Sequence, residues 1–425
     1  PSLCLYKTWD QPIDAPSEVH LMTASDAKDE GGVYRCKPSL RPDLPYYCIR
    51  ISKADYRLDP YSPSMALWKQ GLEHDPIGKG AIIDISAISP EGGWTDFTPP
   101  VRSSREAVIY EASIRDFTVD SSAFGETGTD LALNHRFGTY LAFTEILPHI
   151  KKLGVTHIQL MPPFQNYFYD QTRSGERETD HEQTSGANYN WGYDPQSFLV
   201  PSGMYSEHPD APVSRIREFM SLVNAIHSHG MGCLVDVVFN HTADRSVLPN
   251  ETYWYRAGTN GSGCGNDVRS EAKMARKLIV DAVVHLMTRY HVDGFRFDLM
   301  GIIDHRTVTA AYRAAESINP SVLFVGEGWN MYTGAKKDFT GARIHGGDQT
   351  NVRRFKGMNI ALFSDSFRNV IKSGYPTDGA PAFITGKPAA AKTLFLNLRG
   401  SPTNKPRFRP PSSEPAKRWT SSADS

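Results

Sequence analysis

Hydrophobic positions between residues 105 and 370 follow two periods in turn. Six short runs are almost continuously apolar, as strands buried on both faces must be. They read AVIYEASI (107–114), THIQLMP (156–162), GCLVDVVF (232–239), DGFRFDLM (293–300), VLFVGEGW (322–329) and NIALFSD (359–365). Apolar residues at helical spacing fill segments between them, at 141–153, 216–226 and 278–286. Alternating strands and helices predict an α/β fold of the (β/α)8 TIM-barrel type, with a doubly wound sheet as the alternative.

The first hundred residues follow another pattern. Short apolar or alternating runs are separated by Pro, Asp and Gly, at SLCLY (2–6), EVHLM (18–22), YYCIRI (46–51) and AIIDI (81–85). Such runs between turn residues are typical of an all-β module. We therefore predict a partial β-sandwich over residues 1–103, followed by the barrel over residues 104–386.

The end of the chain loses both periods. Residues 387–425 hold eight Lys and Arg against two Asp and Glu, with six Pro and six Ser. This composition predicts a disordered or aberrant tail. The barrel is accordingly expected to be truncated after about the sixth strand.

Composition narrows the class of ligand. The 425 residues are 40% hydrophobic and 22% charged, with a net charge of −1. That balance gives no electrostatic footprint for nucleic acid or an anionic membrane, and it favours a neutral or small substrate. The five cysteines lack CxxC spacing, so neither a disulfide framework nor a zinc site is indicated. Oligomeric state is left open.

The N-terminus shows no targeting signal. The chain begins at Pro1 without a charged and then apolar leader. No signal peptide is visible in this chain, and we expect its N-terminus to be incomplete. Localisation therefore stays unknown.

Polar side chains gather where the apolar strands end. In a barrel the carboxyl ends of all strands meet at one mouth, so these residues should converge. They are Asp236, Asn240, His241, Arg296, Asp298, Glu327 and Trp329. Each could separately belong to a structural ion pair or turn, but chance would have to place charges at the same end of three strands.

Two of these carboxylates suit the hydrolysis of a glycosidic bond. Asp298 and Glu327 end consecutive strands and could face each other at the ~5–5.5 Å typical of a retaining glycosidase. Arg296 lies two residues before Asp298, where it would keep that carboxylate ionised and hold Asp236. The glycines beside Glu327 would leave space for a ligand. His241 would donate a hydrogen bond to a sugar hydroxyl.

The stretch YNWGYDP (189–195) crowds three aromatic residues, an amide and a carboxylate into seven positions. Its Gly192 and Asp-Pro turn predict a loop. Aromatic rings can cover the C–H face of a sugar while amide and carboxylate groups reach its hydroxyls. A tightly packed surface loop is the alternative.

DVVFNH (236–241), GFRFD (294–298) and GEGW (326–329) resemble the first three sequence regions of the α-amylase superfamily of glycoside hydrolases. YNWGYDP is similar to the signature of the type I pullulanases, which cleave α-1,6 branch points in pullulan, limit dextrins and glycogen. The N-terminal segment is similar to the starch- and glycogen-binding sandwich of these enzymes. The resemblance therefore implies an α-glucan as substrate.

The same resemblance implies roles for individual residues. Asp298 would be the nucleophile and Glu327 the acid and base. Tyr193 would stack on the glucose at the cleavage point, Asp194 would bind beside it, and Trp329 would line the acceptor side. The remaining site residues would shape the pocket: Asp236, Asn240, His241 and Arg296. No cofactor is required; a structural calcium occurs in some relatives, but no ligand cluster here indicates one.

One part of the family pattern has no match. The fourth region is a His-Asp pair that supplies a third catalytic carboxylate, whereas His345 is followed by Gly346, and Asp365 belongs to the sixth strand. A non-catalytic α-glucan binder is therefore a second hypothesis. Within the hydrolases, an isoamylase or α-amylase is the runner-up. A nucleotide- or metal-dependent enzyme is a weak third, because Gly-Lys-Gly at 78–80 lacks phosphate-loop spacing and His227 and His229 fit helix capping or solvent exposure better.

Overall fold

The computed structural model describes residues 1–25, 32–39, 41–119, 133–176, 188, 191–338, 340–372, 379–387 and 391–398. The N-terminal part contains seven short strands: β1 (Ser2–Tyr6), β2 (Glu18–Leu21), β3 (Thr23–Ala24), β4 (Tyr34–Arg35), β5 (Tyr46–Ser52), β6 (Asp55–Arg57) and β7 (Gly80–Ala81). Five of them form an antiparallel sheet in the order β2-β1-β5-β6, with β7 also paired to β5. Strands β3 and β4 form a separate two-stranded ribbon.

One face of the five-stranded sheet forms a small core. Cys4 and Cys48 are cross-strand neighbours on β1 and β5, and both are fully buried beside Tyr6. Ile13 and Ala66 from loops cover this face. The predicted β-rich module is thus present. Among the described residues, loops take the place that a second sheet holds in a sandwich.

The second part is a parallel sheet of six strands: β8 (Ile109–Ala112), β9 (His157–Leu160), β10 (Gly232–Val237), β11 (Gly294–Phe297), β12 (Leu323–Gly326) and β13 (Ile360–Leu362). All six lie within the predicted apolar runs. Each strand pairs with the next one along the chain, in the order β13-β12-β11-β10-β9-β8. A doubly wound sheet would reverse its strand order at a switch point, so that alternative is wrong. The sheet curls into a half-barrel, as expected for a truncated TIM barrel.

Eight α-helices lie in the described ranges, and the four longest bury apolar faces in the main core. The eight helices are α1 (Asp116–Val119), α2 (Tyr140–Lys152), α3 (Pro212–Ser228), α4 (Glu251–Trp254), α5 (Lys273–Tyr290), α6 (His305–Ile318), α7 (Asp365–Ile371) and α8 (Ala391–Leu398). The helices predicted from periodicity are confirmed as α2, α3 and α5. Helix α6 was not predicted, although its buried residues, Thr307, Val308, Ala311, Tyr312 and Ala315, follow helical spacing. Its start is fixed by Asp304, whose side chain accepts hydrogen bonds from the Arg306 and Thr307 backbone N–H groups.

The two faces of the parallel sheet differ in chemistry. Outward side chains such as Val235, Phe295 and Phe324 are fully buried in the main core under the helices. On the inner face, Leu234 and Leu323 form a small apolar layer. One layer further toward the carboxyl ends, Asp236 pairs in register with Arg296. The inner face therefore changes from apolar to charged as it approaches the mouth.

His227 differs from the expectation that it caps a helix or faces solvent. Its ring is buried and stacks on Phe97, with ring centroids 3.9 Å apart. Its Nε2 lies 2.8 Å from the Asp293 carboxylate. The end of α3 packs against the start of β11, and this packing encloses the ring. His229 follows the expectation, since it is the C-cap residue of α3.

Helix α8 lies in the segment that composition predicts to lack regular structure. Leu394 and Phe395 are buried, and Asn397 donates a 3.2 Å hydrogen bond to the Ser366 backbone oxygen of α7. A short apolar stretch, TLFLNL, thus packs against its neighbour inside an otherwise polar region. The remainder of the predicted tail, residues 399–425, lies outside the described residues. Within the described ranges, no helix has the length and apolar character needed to cross a membrane.

Candidate active site

Arg296 stands at the centre of the barrel mouth and joins three carboxylates. Its Nη1 donates to both Asp236 oxygens at 3.0 and 2.9 Å and to Asp298 Oδ1 at 2.8 Å. Its Nη2 lies 2.9 Å from Glu327 Oε1. Asp236 lies on β10 and Arg296 on β11, while Asp298 and Glu327 directly follow β11 and β12. The register of these three neighbouring strands brings the four side chains together. The structure thus places the predicted pair, Asp298 and Glu327, on one guanidinium.

Burial and charge act on this cluster in opposite directions. Burial raises the pKa of Glu327, the Arg296 charge lowers it, and the negative charge of Asp298 raises it again. Burial also raises the pKa of Asp236 to about 8, against the lowering effect of Arg296. For Arg296 itself, burial acts to lower the pKa, but the surrounding carboxylates outweigh it and the pKa rises. Arg296 is therefore the fixed positive charge of the site.

Asn240 and His241 support Asp298 from the loop after β10. Asn240 Nδ2 donates to Asp298 Oδ2 at 2.8 Å and to the Asp298 backbone oxygen at 3.0 Å. Its Oδ1 lies 2.6 Å from His241 Nδ1. His241 Nε2 lies 2.7 Å from the backbone oxygen of Tyr193. Because both ring nitrogens are already engaged, a bond from His241 to a sugar would have to replace one of these contacts.

Glu327 is held by a strained stretch of backbone. Leu299 has a left-handed conformation with φ of 40°, which is uncommon for a residue with a side chain. Its N–H donates to Glu327 Oε2 at 3.2 Å.

A Cβ on Gly326 would lie 2.4 Å from the Met300 sulfur, and one on Gly328 would lie 2.9 Å from a Leu362 methyl. The glycines therefore permit close packing, and the expectation that they leave space for a ligand is wrong.

The aromatic loop reaches the same cluster. The Tyr193 hydroxyl donates to Asp236 Oδ2 at 2.8 Å. Gly192 brings this loop against β9, since it has φ of 85° and its Cβ would lie 2.6 Å from the Pro162 oxygen. Trp191 is 60% exposed, and the start of the motif, residues 189 and 190, lies outside the described residues. Asp194 lies partly buried next to Tyr193.

Trp329 is partly buried and follows the end of β12. The Arg368 guanidinium lies over its ring at 5.8 Å. Tyr193 and Trp329 thus belong to separate connections, the one after β9 and the one after β12.

The structure adds two residues that the sequence reasoning did not assign. Glu111 shares the inner face with Gln159, which donates to it at 2.6 Å, and its charge contributes to the raised pKa of Glu327. Phe363 lies 5.6 Å from the Arg296 guanidinium. A carboxylate inside the otherwise apolar first strand was the available signal for Glu111. Phe363 gave none, because it extends an ordinary apolar run.

Within the part of the chain that the structure describes, no three His, Cys, Asp or Glu side chains are grouped so that they could hold a metal ion.

Comparison with known proteins shows the family of this chain. Pullulanase A of Streptococcus pneumoniae serotype 2 (strain D39) is 37% identical over 407 residues, which cover 93% of this chain. Pullulanase of Bacillus subtilis (strain 168) is 36% identical over 319 residues, or 72% of this chain. The chain belongs to the pullulanases of the α-amylase superfamily. A scan against models of protein families gives no match.

Solved pullulanase structures agree with this assignment. The catalytic module of the glycogen-degrading pneumococcal virulence factor SpuA superposes with a TM-score of 0.82 at 35% identity, covering 95% of this chain and 57% of that one. The Group B Streptococcus pullulanase SAP, solved in complex with maltotetraose, gives 0.80 at 32% identity, covering 95% and 52%. The chain spans 30% of pneumococcal pullulanase A and 42% of the Bacillus subtilis enzyme.

Proposed function

We propose that this pullulanase-family chain hydrolyses α-1,6-glucosidic branch linkages of pullulan, glycogen or limit dextrins with retention of anomeric configuration. The observation that carries the proposal is the bridge from Arg296 to Asp298 and Glu327 at the barrel mouth. Retaining hydrolysis needs two carboxyl groups in different protonation states. The Arg296 guanidinium contacts both carboxyl groups, and the two groups differ in burial. Both features support different protonation states for Asp298 and Glu327.

Asp298 is suited to the first step as nucleophile. Its Oδ1 accepts from Arg296 and its Oδ2 from Asn240, so both oxygens are stabilised as an anion. In the proposed step Asp298 bonds to the anomeric carbon while the bond from that carbon to the glycosidic oxygen breaks. Glu327 gives its proton to the departing oxygen, which leaves as a sugar hydroxyl.

Glu327 then acts in the reverse direction. As a carboxylate it takes a proton from water, whose oxygen attacks the anomeric carbon and releases Asp298. Burial raises the pKa of Glu327, and this keeps its acid form populated at higher pH than an exposed glutamate would allow. Two successive inversions at the same carbon give net retention.

Relatives support an α-glucan as the substrate. Pullulanase structures bind maltotetraose in the Group B Streptococcus protein and maltohexaose in that of Paenibacillus barengoltzii. In this chain Tyr193 is anchored by its hydroxyl to Asp236, which leaves the ring as a platform for the glucose at the cleavage point. Asp194 and Trp329 are proposed to bind on either side of that glucose.

The test is release of reducing sugar from pullulan by the 425-residue chain. The Asp298→Asn variant removes the nucleophile with little change in volume. Asp10→Asn, at an exposed position, is the matched control. We expect maltotriose from the parent and the control but not from Asp298→Asn. Equal release by Asp298→Asn would contradict the assignment. Activity on amylose without release from pullulan would favour an α-amylase-type specificity.

A non-catalytic α-glucan binder is the second candidate. The described residues place Asp236, Asp298 and Glu327 on Arg296, whereas the loop at His345 and Gly346 brings no further carboxylate to that guanidinium. A chain that releases nothing but is retarded in a native gel containing glycogen would favour the binder.

A further inference from the structure

A second cleft, of about 530 Å³, lies beside the loop that follows β12. We call it the basic cleft. Its lining includes Asn330, Lys336, Lys337, Arg343, His345 and Asp348. Three of these six side chains carry a fixed positive charge and one carries a negative charge.

A small hairpin places the cations. Lys337 and Arg343 are backbone bridge partners, and the Ile344 N–H donates to the Lys336 oxygen at 2.9 Å. Arg306 of α6 anchors the hairpin, since it donates to the Arg343 backbone oxygen at 3.2 Å and pairs with Asp338. The cations therefore project from a braced segment.

These charges are not neutralised within the fold. Across the described ranges, Lys336, Lys337 and Arg343 form no ion pair with a carboxylate. Asp348 is already occupied, because its oxygens accept from the Thr350 and Asn351 backbone and side chains. In the same ranges, the buried Nε2 of His345 has no hydrogen-bond partner. The lining thus has three cations against one carboxylate, and that carboxylate is held by hydrogen bonds within its own turn.

The basic cleft adjoins the proposed active site. Asn330 directly follows Trp329 in the chain. The Gln349 N–H donates to the Gly328 oxygen at 2.8 Å, which joins the segment that carries Asp348 to the loop that carries Glu327. The loop with Glu327 and Trp329 therefore continues into the lining of the basic cleft.

We propose that the basic cleft binds a phosphate monoester carried on the α-glucan. A neutral glucan needs no cation, whereas Arg and Lys together match the charge and the acceptor oxygens of a phosphate. The cleft would favour phosphorylated chains over neutral ones next to the cleavage point. The glucan part of this inference rests on the proposed function, whereas the phosphate part rests on the cleft alone.

The test is titration calorimetry with three probes: maltotetraose, the same oligosaccharide phosphorylated at one 6-hydroxyl, and inorganic phosphate. The variant carries Lys336→Gln, Lys337→Gln and Arg343→Gln, all at exposed positions. Its matched control carries Lys7→Gln, Lys53→Gln and Lys273→Gln, which are also exposed and give the same change in net charge. Circular dichroism checks that both fold.

We expect the parent and the control to bind the phosphorylated probe at least about tenfold more tightly than the neutral one, as a charge-assisted hydrogen bond allows. The cleft variant should bind both probes equally. Equal affinity of the parent for both probes would overturn the proposal and leave the glucan function intact. Binding of inorganic phosphate with no binding of either oligosaccharide would instead refute the glucan function. Loss of the preference in the control variant would show that net charge, not this cleft, is responsible.

Discussion

Replacing Arg296 by methionine would test the electrostatic centre of the site. Methionine keeps much of the side-chain volume but removes the cation from Asp236, Asp298 and Glu327. Breaking a buried ion pair costs on the order of 3–5 kcal/mol, because the remaining charge is left uncompensated. With three carboxylates affected, we expect a loss of about 3–5 kcal/mol in the free energy of unfolding at pH 8.

The loss should depend on pH, and its sign follows from the carboxyl groups. A carboxyl whose folded pKa lies above its unfolded value favours folding at low pH and loses that contribution as pH rises. Asp236 has its pKa raised to about 8 and Glu327 has its pKa raised as well. Removing Arg296 takes away the charge that opposes both shifts. The variant should therefore lose more stability at pH 8 than at pH 4.5.

The assay is urea unfolding at both pH values, followed by tryptophan fluorescence. Arg256→Met is a buried comparison, since Arg256 pairs with a single carboxylate, Glu271, at 2.8 Å. Arg313→Met is an exposed control and should cost less than about 1 kcal/mol. An equal loss for Arg296→Met at pH 4.5 and pH 8 would refute the reasoning, because packing alone would then explain it.

Three further changes have expected outcomes. Gly301→Ala would place a Cβ 1.8 Å from the Trp329 oxygen and should lower stability by roughly 1–3 kcal/mol in urea unfolding. Asn240→Leu would remove both donors to Asp298 and should cost about 1.5–3 kcal/mol in the same assay. Burial lowers the pKa of His285 to about 4, so this group should contribute a loss on the order of 3 kcal/mol between pH 6.5 and pH 4, and His285→Phe should lose less stability than the parent.

Each of these has a result that would contradict it. Gly175, whose Cβ would meet no atom within 4 Å, is the control for the glycine change, and equal effects at both glycines would contradict the close approach. An unchanged unfolding midpoint for Asn240→Leu would show that its two hydrogen bonds add nothing. The same acid-induced slope in His285→Phe and the parent would show that another group titrates.

Strand positions could be predicted well from the sequence, for a physical reason. A strand of the parallel sheet is covered on one face by helices and lies inside the barrel on the other, so GCLVDV is apolar almost throughout. Short Gly and Pro turns bound such runs. Helix α6 was not predicted although its buried residues follow helical spacing, because only Val308 among Thr307, Val308, Ala311, Tyr312 and Ala315 is a branched aliphatic residue.

The residues of the site could be predicted from the sequence, but fewer of the contacts between them could. The two-residue spacing of Arg296 and Asp298 places both on one face of a strand, and the structure confirms this contact. The contact of Arg296 with Glu327 depends on the register between β11 and β12, which the sequence does not encode locally. The bond from the Leu299 N–H to Glu327 depends on a left-handed backbone that an apolar run does not reveal.

The proposed mechanism requires a covalent bond between Asp298 and the substrate. It can be tested with the Glu327→Gln variant and α-maltotriosyl fluoride, followed by mass spectrometry of peptides. Fluoride leaves without an acid, so Asp298 can still bond to the anomeric carbon, whereas release by water lacks its base and the adduct accumulates. We expect a maltotriosyl ester on the peptide containing Asp298 and its loss in Asp298→Asn/Glu327→Gln. An unmodified Asp298, or a label on another residue, would contradict it.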